Sequence, residues 1–119
     1  MLCLTTFLFA LSAVESGHND AAIGKAGERS RYQISEPVWV KWDSLSPHED
    51  CKGDDATQCA ISHINHIRRT LLTDDPLIIA SAWNQGVTGH KRRGPNDHAQ
   101  RVGNLYHAIM QEQAGHSLP

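Results

Sequence analysis

The sequence predicts one small, mainly α-helical domain. Its 119 residues are enough for a single modest core. Apolar residues recur at helical spacing in several segments, whereas the period-two alternation of a half-buried strand is almost absent. Hydrophobic residues make up 39% of the chain and charged residues 20%, which is typical of folded globular proteins. We therefore expect about five helices joined by long polar loops within one domain, residues 1–119.

The charge balance excludes some classes of partner. Eleven Lys and Arg residues against 13 Asp and Glu give a formal net charge of −2, so the chain lacks the basic field of a nucleic-acid-binding protein. No apolar run reaches the roughly 18 residues that a membrane-spanning helix needs. The sequence therefore predicts neither nucleic-acid binding nor a membrane span.

Residues 2–14 have two interpretations. The segment resembles the apolar region of a secretory signal, with a small-residue cleavage site at residues 10–12, but no Lys or Arg precedes it. Alternatively, it forms a helix that ends near Glu15, because its apolar residues recur at helical spacing. We favour the helix, whose apolar positions are Leu4, Phe7, Leu8, Leu11 and Val14.

The middle of the chain predicts a short extended piece and two helices. Residues 32–34 form the extended piece. Ser35 then caps a helix with Pro37 in its first turn, and its buried residues are Val38, Trp39 and Trp42. After a polar loop, residues 44–55, Asp55 caps a longer helix whose apolar positions are Ala60, Ile64, Ile67 and Leu71.

Two further helices complete the prediction. Asp74 and Pro76 open the first, which ends at Gly86. Residues 87–95 form a loop that carries Lys91, Arg92 and Arg93. Asn96 or Asp97 begins the last helix, whose apolar side consists of Ala99, Val102, Leu105, Tyr106 and Ile109.

The cysteine and histidine residues raise the questions of a disulfide and of a metal site. Cys51 and Cys59 form either a disulfide or two free thiols, and Cys3 lies far from both in the sequence. His63 and His66 have a helical spacing that can hold zinc. They lack the intervening Glu of a metalloprotease motif, so a partly exposed helix edge is the favoured interpretation, and we expect no metal.

Two segments resemble a known family. The first contains Glu15-Ser16, a glycine-containing loop and Tyr32-Gln33-Ile34; the second contains Trp83-Asn84-Gln85-Gly86, followed by residues 99–106. In order and placement they resemble the lysozyme-like (SLT) domain of soluble lytic transglycosylases and goose-type lysozymes. In that group a helix ends in Glu-Ser, and a later helix ends in an aromatic-Asn-x-Gly motif.

The resemblance implies a lytic transglycosylase of the bacterial cell wall. Such an enzyme cleaves the β-1,4 bond between N-acetylmuramic acid and N-acetylglucosamine with one catalytic Glu, here Glu15. Glycosidic cleavage needs a carboxylic acid that still carries its proton near neutral pH, and burial at a helix C-terminus favours that form. The alternatives are a hydrolytic muramidase, with Glu28 in reserve as a second carboxylate, and a non-catalytic glycan-binding relative. For Glu28 the favoured interpretation is a loop charge that pairs with Arg29 or Arg31. The implied reaction needs no cofactor.

Six further residues are candidates for substrate binding. Gln33 and Asn84 offer amide groups that suit sugar hydroxyls, and each could instead stabilise a loop. Tyr32 and Trp83 stack on sugars or pack in the core, and Ser16 binds substrate or ends its helix. His98 stands where relatives often have a Tyr aimed at the catalytic Glu. The expected partner is the glycan strand of peptidoglycan, met by a monomer in the cell envelope, either periplasmic or secreted.

Overall fold

The computed structural model describes residues 1–43 and 45–116, apart from the side chain of His116. Ser44, the first residue of the predicted loop 44–55, lies outside the described residues. The fold is mainly helical, as predicted. The described helices are α1 (Leu4–Ser16), α2 (Glu36–Trp42), α3 (Gly53–Leu71), α4 (Pro76–Arg93) and α5 (Asp97–His116), with one 3-10 turn at His48–Asp50. None of these helices is long and apolar enough to cross a bilayer.

The helices enclose one core. Helix α5 packs against both α1 and α4, and α3 packs against α2 and α4. Every helix contributes fully buried side chains to the interior, which include Phe7, Leu11, Trp39, Ile64, Ile67, Ile79 and Val102. The apolar positions predicted for the last helix agree with this arrangement, since Ala99, Val102 and Tyr106 are buried.

The first segment is a core helix in this structure. Phe7 and Leu11 of α1 are completely buried, and the hydroxyl of Tyr106 accepts a hydrogen bond of 2.8 Å from the backbone N–H of Cys3. The helix ends because Gly17 adopts a left-handed conformation with φ 63°, which glycine adopts without steric penalty. Glu15 therefore lies in the last turn of α1.

The short extended piece predicted at residues 32–34 is wrong for its first two residues. Gln33 has a positive φ of 54° and lies in a turn. Ile34 alone of the three forms a bridge, pairing with Arg29. Helix α2 follows with Ser35 at its N-cap and Pro37 in its first turn, as predicted. Trp39 is buried, and its indole N–H donates to the backbone oxygen of Ser46.

Helix α3 begins three residues earlier than predicted, with Lys52 rather than Asp55 at its N-cap. Its first residue is Gly53, and Asp55 lies inside the first turn. The cause is a carboxylate from a distant part of the chain. Asp20 Oδ2 accepts a hydrogen bond of 2.6 Å from Gly53 N–H, so an N–H group that helix formation leaves unpaired is satisfied by the loop that follows α1.

Asp20 also orders its own loop. Its Oδ1 accepts hydrogen bonds from the backbone N–H and the Nε–H of Arg31, at 3.3 and 3.4 Å. Burial alone would raise the pKa of Asp20, but the hydrogen bonds from Gly53 and Arg31 outweigh this and lower the pKa below its usual value. The carboxylate thus joins residue 20, residue 31 and the start of α3.

We expect Asp20→Asn to destabilise the fold by about 1–3 kcal/mol, because an amide nitrogen would face Gly53 N–H, donor against donor. The depressed pKa means that the stabilising contribution is present above the ordinary carboxyl pKa and is lost as the pH falls through the folded value. Urea unfolding at pH 7 and pH 3 measures both effects. Asp50→Asn, at an exposed carboxylate, is the control. An equal loss for both variants would contradict this role for Asp20.

Helix α4 is interrupted at Gly86, the residue at which the sequence predicted its end. Asp75, rather than Asp74, caps the helix by accepting from Leu77 N–H at 2.9 Å. Gly86 has φ 77° and ψ 163°, a non-helical backbone conformation. This conformation is essentially restricted to glycine. The loop predicted at residues 87–95 is wrong for most of its length, because helical structure resumes and continues to Arg93.

Side-chain hydrogen bonds hold the second half of α4 in place. Gln85 Nε2 donates to Ser81 Oγ and to the backbone oxygen of Gly94, at 3.0 and 2.9 Å. His90 Nδ1 lies 2.8 Å from Ser81 Oγ, so the buried serine joins the two halves across the break. Helix α5 then starts as predicted at Asp97, with Asn96 Oδ1 accepting from Ala99 N–H.

All three cysteines are free thiols in this structure. Burial raises the pKa of Cys51 to about 11 and that of Cys59 to about 12. Of the two alternatives left open for this pair, the structure contains the thiols. Both remain protonated at neutral pH.

Candidate functional site

The carboxylate of Glu15 lies at the C-terminal end of α1 against the first turn of α5. Its side chain is 10% exposed, and that of His98 is 17% exposed. Glu15 Oε1 contacts His98 Nε2. One carboxylate oxygen therefore lies directly against the imidazole, although neither of the two buried atoms forms a hydrogen bond among the described residues.

Glu15 lines a cavity of about 260 Å³. This is slightly below the range of roughly 300–1,000 Å³ that small-molecule sites usually occupy. Four of the residues predicted to take part in the site meet here, namely Glu15, Gln33, Trp83 and Asn84. Glu28, Ser35, Val38, His63 and Gly86 are among the other lining residues. The cavity thus combines carboxylate, amide and aromatic groups.

Gln33 is held with its amide nitrogen already engaged. Its Nε2 donates to the backbone oxygens of Ala22 and Ser30, at 3.2 and 2.9 Å. Its Oε1 lies so close to Gly24 that a Cβ at that position would stand 2.6 Å away. Gly24 therefore permits the approach of Gln33. No described residue donates a hydrogen bond to its side-chain oxygen, which can accept one from a ligand.

Glu28 provides a second carboxylate at the same cavity. Its Oε1 accepts a hydrogen bond of 2.9 Å from Ala26 N–H. The favoured interpretation, pairing with Arg29 or Arg31, is not seen among the described residues, and Arg31 pairs with Asp20 instead. Two carboxylates therefore border one cavity, as the reserve role of Glu28 requires.

Trp83 and Asn84 come directly before the break at Gly86. Asn84 Oδ1 accepts a hydrogen bond of 2.6 Å from Asn96 Nδ2, which leaves the two N–H donors of the Asn84 amide available. The indole of Trp83 is partly exposed and borders the cavity. The end of the first half of α4 therefore supplies an amide and an aromatic ring to the site.

Ser16 and Tyr32 lie outside the cavity lining. Ser16 Oγ donates to the backbone oxygen of Arg31 at 2.8 Å and accepts from Asn19 N–H at 3.0 Å. Tyr32 is 5% exposed, and its hydroxyl is 3.0 Å from Thr57 Oγ1. For both residues the structure agrees with the alternative of a structural role, because Ser16 secures the loop after α1 and Tyr32 packs in the core.

His63 is a cavity residue that the sequence interpretation placed on a partly exposed helix edge. It lines the cavity, and Trp42 Nε1 donates to its Nδ1 at 3.1 Å. Burial, assisted by His66 and Lys41, lowers the pKa of His63 to about 4. The i, i+3 histidine pair was the available signal, but spacing alone does not show which neighbour a polar helix position faces.

We expect the His63 imidazole to stay neutral throughout the pH range 5–8. The unfolded chain protonates this residue near its ordinary pKa of about 6.5, so folding stability should fall as the pH decreases from 6.5 towards 4. NMR titration of the histidine ring signals and thermal unfolding across that range measure the two effects. Titration of His63 near pH 6.5 in the folded protein would contradict the prediction.

No group of three or more His, Cys, Asp or Glu side chains in the described part of the chain could hold a metal ion. The His63 and His66 rings stack with their centroids 6.0 Å apart.

Comparison with known protein families, curated proteins and solved structures gave no match.

Proposed function

We propose that the protein cleaves the glycan strand of peptidoglycan, with Glu15 as the general acid, and that it does so as a lytic transglycosylase. The observation that carries the proposal is the position of Glu15, a largely buried carboxylate at a cavity that also presents Gln33, Asn84 and Trp83. The resemblance of the motifs around these residues to the lysozyme-like transglycosylase group supports it further.

The first step breaks the bond to the leaving sugar. Glu15, in its protonated form, donates a proton to the glycosidic oxygen, and the bond between that oxygen and C1 of the muramoyl sugar breaks through an oxocarbenium-like state. In this proposal His98 lies against one carboxylate oxygen of Glu15, Oε1, and the other oxygen carries the proton to the leaving group.

The second step closes the new ring. Glu15, now a carboxylate, removes the proton from the C6 hydroxyl of the same muramoyl sugar, and O6 forms a bond with C1. The product is a 1,6-anhydro sugar, and Glu15 returns to its protonated state. No cofactor is required, because the proton given up in the first step is recovered in the second.

Two amides and one indole position the sugar in this proposal. The Gln33 oxygen accepts a hydrogen bond from a sugar hydroxyl or N–H group, and the free Asn84 N–H groups donate to sugar oxygens. Trp83 packs against a sugar face. The hydrogen bonds of Gln33 to Ala22 and Ser30, and of Asn84 to Asn96, hold the two amides in place before the substrate binds.

A second candidate is a hydrolytic muramidase, which the position of Glu28 favours. Hydrolases of this class commonly use a second carboxylate as the base that activates water, and Glu28 borders the same cavity as Glu15. In that reaction water, rather than O6, attacks C1. The leaving step at Glu15 is the same in both reactions.

Mass spectrometry of the products of peptidoglycan digestion separates the two reactions. We expect anhydromuramoyl ends, whose mass is lower by one water than that of reducing ends. We further expect Glu28→Gln to retain most of the cleavage rate, because transglycosylation uses a single acid. Reducing ends that disappear in Glu28→Gln would establish the hydrolase instead. A cell-envelope location, periplasmic or secreted, follows from this substrate.

A protein that binds peptidoglycan without cleaving it would be a non-catalytic relative. His98 is the residue on which that outcome depends, because it stands at the position where the related group often has a Tyr. If the wild-type protein binds but does not cleave, His98→Tyr is the substitution expected to restore turnover.

A further inference from the structure

Four aromatic rings form a contiguous cluster that begins at the cavity. At the cavity, the ring centroid of Trp83 is 5.6 Å from that of His63. The other three rings are mutual neighbours, with centroids 6.0 Å apart for His63 and His66, 5.8 Å for His66 and Trp42, and 6.3 Å for Trp42 and His63. We call Trp83, His63, His66 and Trp42 the ring cluster. Three helices contribute to it, so its geometry is set by the packing of α2, α3 and α4.

A hydrogen bond orders two residues of the ring cluster, Trp42 and His63, and its geometry requires an uncharged His63 ring. Trp42 Nε1 donates to His63 Nδ1 at 3.1 Å, which requires an imidazole with an unprotonated Nδ1. The lowered pKa of His63 agrees with this neutral form. All four residues are partly exposed. The ring cluster is thus a neutral aromatic surface next to the cavity. Such surfaces pack well against the apolar faces of sugar rings.

Two cationic side chains, Lys41 and Arg69, lie near the part of the ring cluster formed by Trp42 and His66. Lys41 Nζ lies 5.0 Å from the centroid of the Trp42 ring and 3.3 Å from His66 Nε2. After the effect of burial, Lys41 and Arg69 lower the pKa of His66 further, so both cations act on this ring. Neither Lys41 nor Arg69 forms an ion pair with a carboxylate in the described part of the chain. The side of the cluster next to Lys41 is therefore a cationic position with no carboxylate ion-paired to it in the described part of the chain.

We propose that Lys41, Trp42 and His66 form a second binding subsite, continuous with the Glu15 cavity, for a sugar that carries a carboxylate. The sugar packs on Trp42, and Lys41 donates to the carboxylate. Charge complementarity favours this occupant, since a carboxylate forms an ion pair with Lys41 that a neutral sugar cannot form. The inference rests on the proposed function and deepens it, by making the strand's anionic substituents part of recognition.

Peptidoglycan offers two sources of such a carboxylate. The lactyl group of muramic acid is a free carboxylate where the peptide has been removed, and the stem peptide carries carboxylates where it remains. The Glu15→Gln protein, which should leave the ligand intact, is titrated calorimetrically with three ligands. They are a neutral β-1,4 N-acetylglucosamine oligomer, a peptide-free glycan strand, and a strand with its stem peptides.

We expect at least one carboxylate-bearing strand to bind more tightly than the neutral oligomer. Lys41→Met in the same background should weaken that binding by about two- to fivefold, the contribution of an exposed ion pair, and should leave the neutral oligomer unaffected. The peptide-free strand responds if the lactyl group is the source, and only the peptide-bearing strand responds if the stem is. Lys52→Met, at another exposed lysine, is the matched control.

Three results would overturn the subsite. The first is equal binding of the neutral and carboxylate-bearing ligands, and the second is no binding of any ligand. The third is the same effect for Lys41→Met and Lys52→Met. Failure of the proposed function looks different, because it is measured as absence of cleavage by the wild-type protein. A protein that cleaves without this preference retains its function and loses the subsite, whereas a protein with the Lys41-dependent preference but no cleavage retains the subsite alone.

Discussion

Replacing Glu15 with Gln should reduce the cleavage of peptidoglycan by about two to four orders of magnitude, the usual contribution of general acid catalysis. Gln has nearly the same shape as Glu but has no proton to transfer to the glycosidic oxygen. The carboxylate is 10% exposed and contacts His98, so the amide occupies the same space at the end of α1. Release of soluble fragments from purified cell walls gives the rate.

Circular dichroism and thermal unfolding provide the control for this substitution. The variant should keep a helix-dominated spectrum, since the apolar contacts of α1 are unchanged. Glu28→Gln is the matched comparison, because it removes the other carboxylate that borders the cavity. Normal cleavage by Glu15→Gln together with lost cleavage by Glu28→Gln would transfer the role of acid to Glu28.

Deletion of residues 1–14 should unfold the domain. The deletion removes the fully buried Phe7 and Leu11, and also Ala10, from the interface of α1 with α5. It also removes the hydrogen bond from Cys3 to Tyr106. We expect loss of the cooperative thermal transition. A stable, active protein that begins at Glu15 would contradict the helical interpretation and favour the signal-like one.

A point substitution tests the same interface without removing the helix. Phe7→Ala should cost about 3–5 kcal/mol of stability, because a buried aromatic ring leaves a cavity behind. Phe9→Ala is the matched control, since Phe9 is on the same helix but is 55% exposed. Urea denaturation of both variants measures the difference. Equal losses would show that α1 does not depend on its buried face.

The helices that the sequence predicted well carry their signals locally. In α5 the apolar residues Ala99, Val102 and Tyr106 recur on one face, and Asn96 lies where a capping oxygen is needed. In α2 the order Ser35, Glu36, Pro37 contains both the cap and the first-turn proline. Propensity, periodicity and capping agree within a short segment in each case, so no distant contact had to be known.

The errors have long-range or conformational causes. The start of α3 depends on Asp20, which lies 33 residues before Gly53 and is invisible to a local search. Gly86 reads as the end of a helix, and its left-handed backbone does interrupt α4. The helix resumes because Ser81, Gln85 and His90 form hydrogen bonds across the break. The Lys and Arg residues at 91–93 give no sequence signal of this arrangement, so the segment was predicted as a loop.

The candidate site was predicted in part for the same reasons. Glu15, Gln33, Trp83 and Asn84 stand at the ends of elements or in the loop after one, and the fold brings these ends together at one cavity. Tyr32 gave no sign that its ring points into the core. His63 gave no sign that it faces the cavity, because this depends on how α2 and α4 pack against α3.

The hydrogen bond between Asp20 and Gly53 also constrains the order in which the chain can fold. Closing a loop of this length carries an entropic cost that must be met before the contact forms. We therefore expect the Gly53 N–H to gain this partner only after the loop behind Glu15 has adopted its structure. Amide exchange at Gly53 consequently reports on opening of that loop, so a backbone N–H remote in sequence from the catalytic helix is a probe of order around its carboxylate.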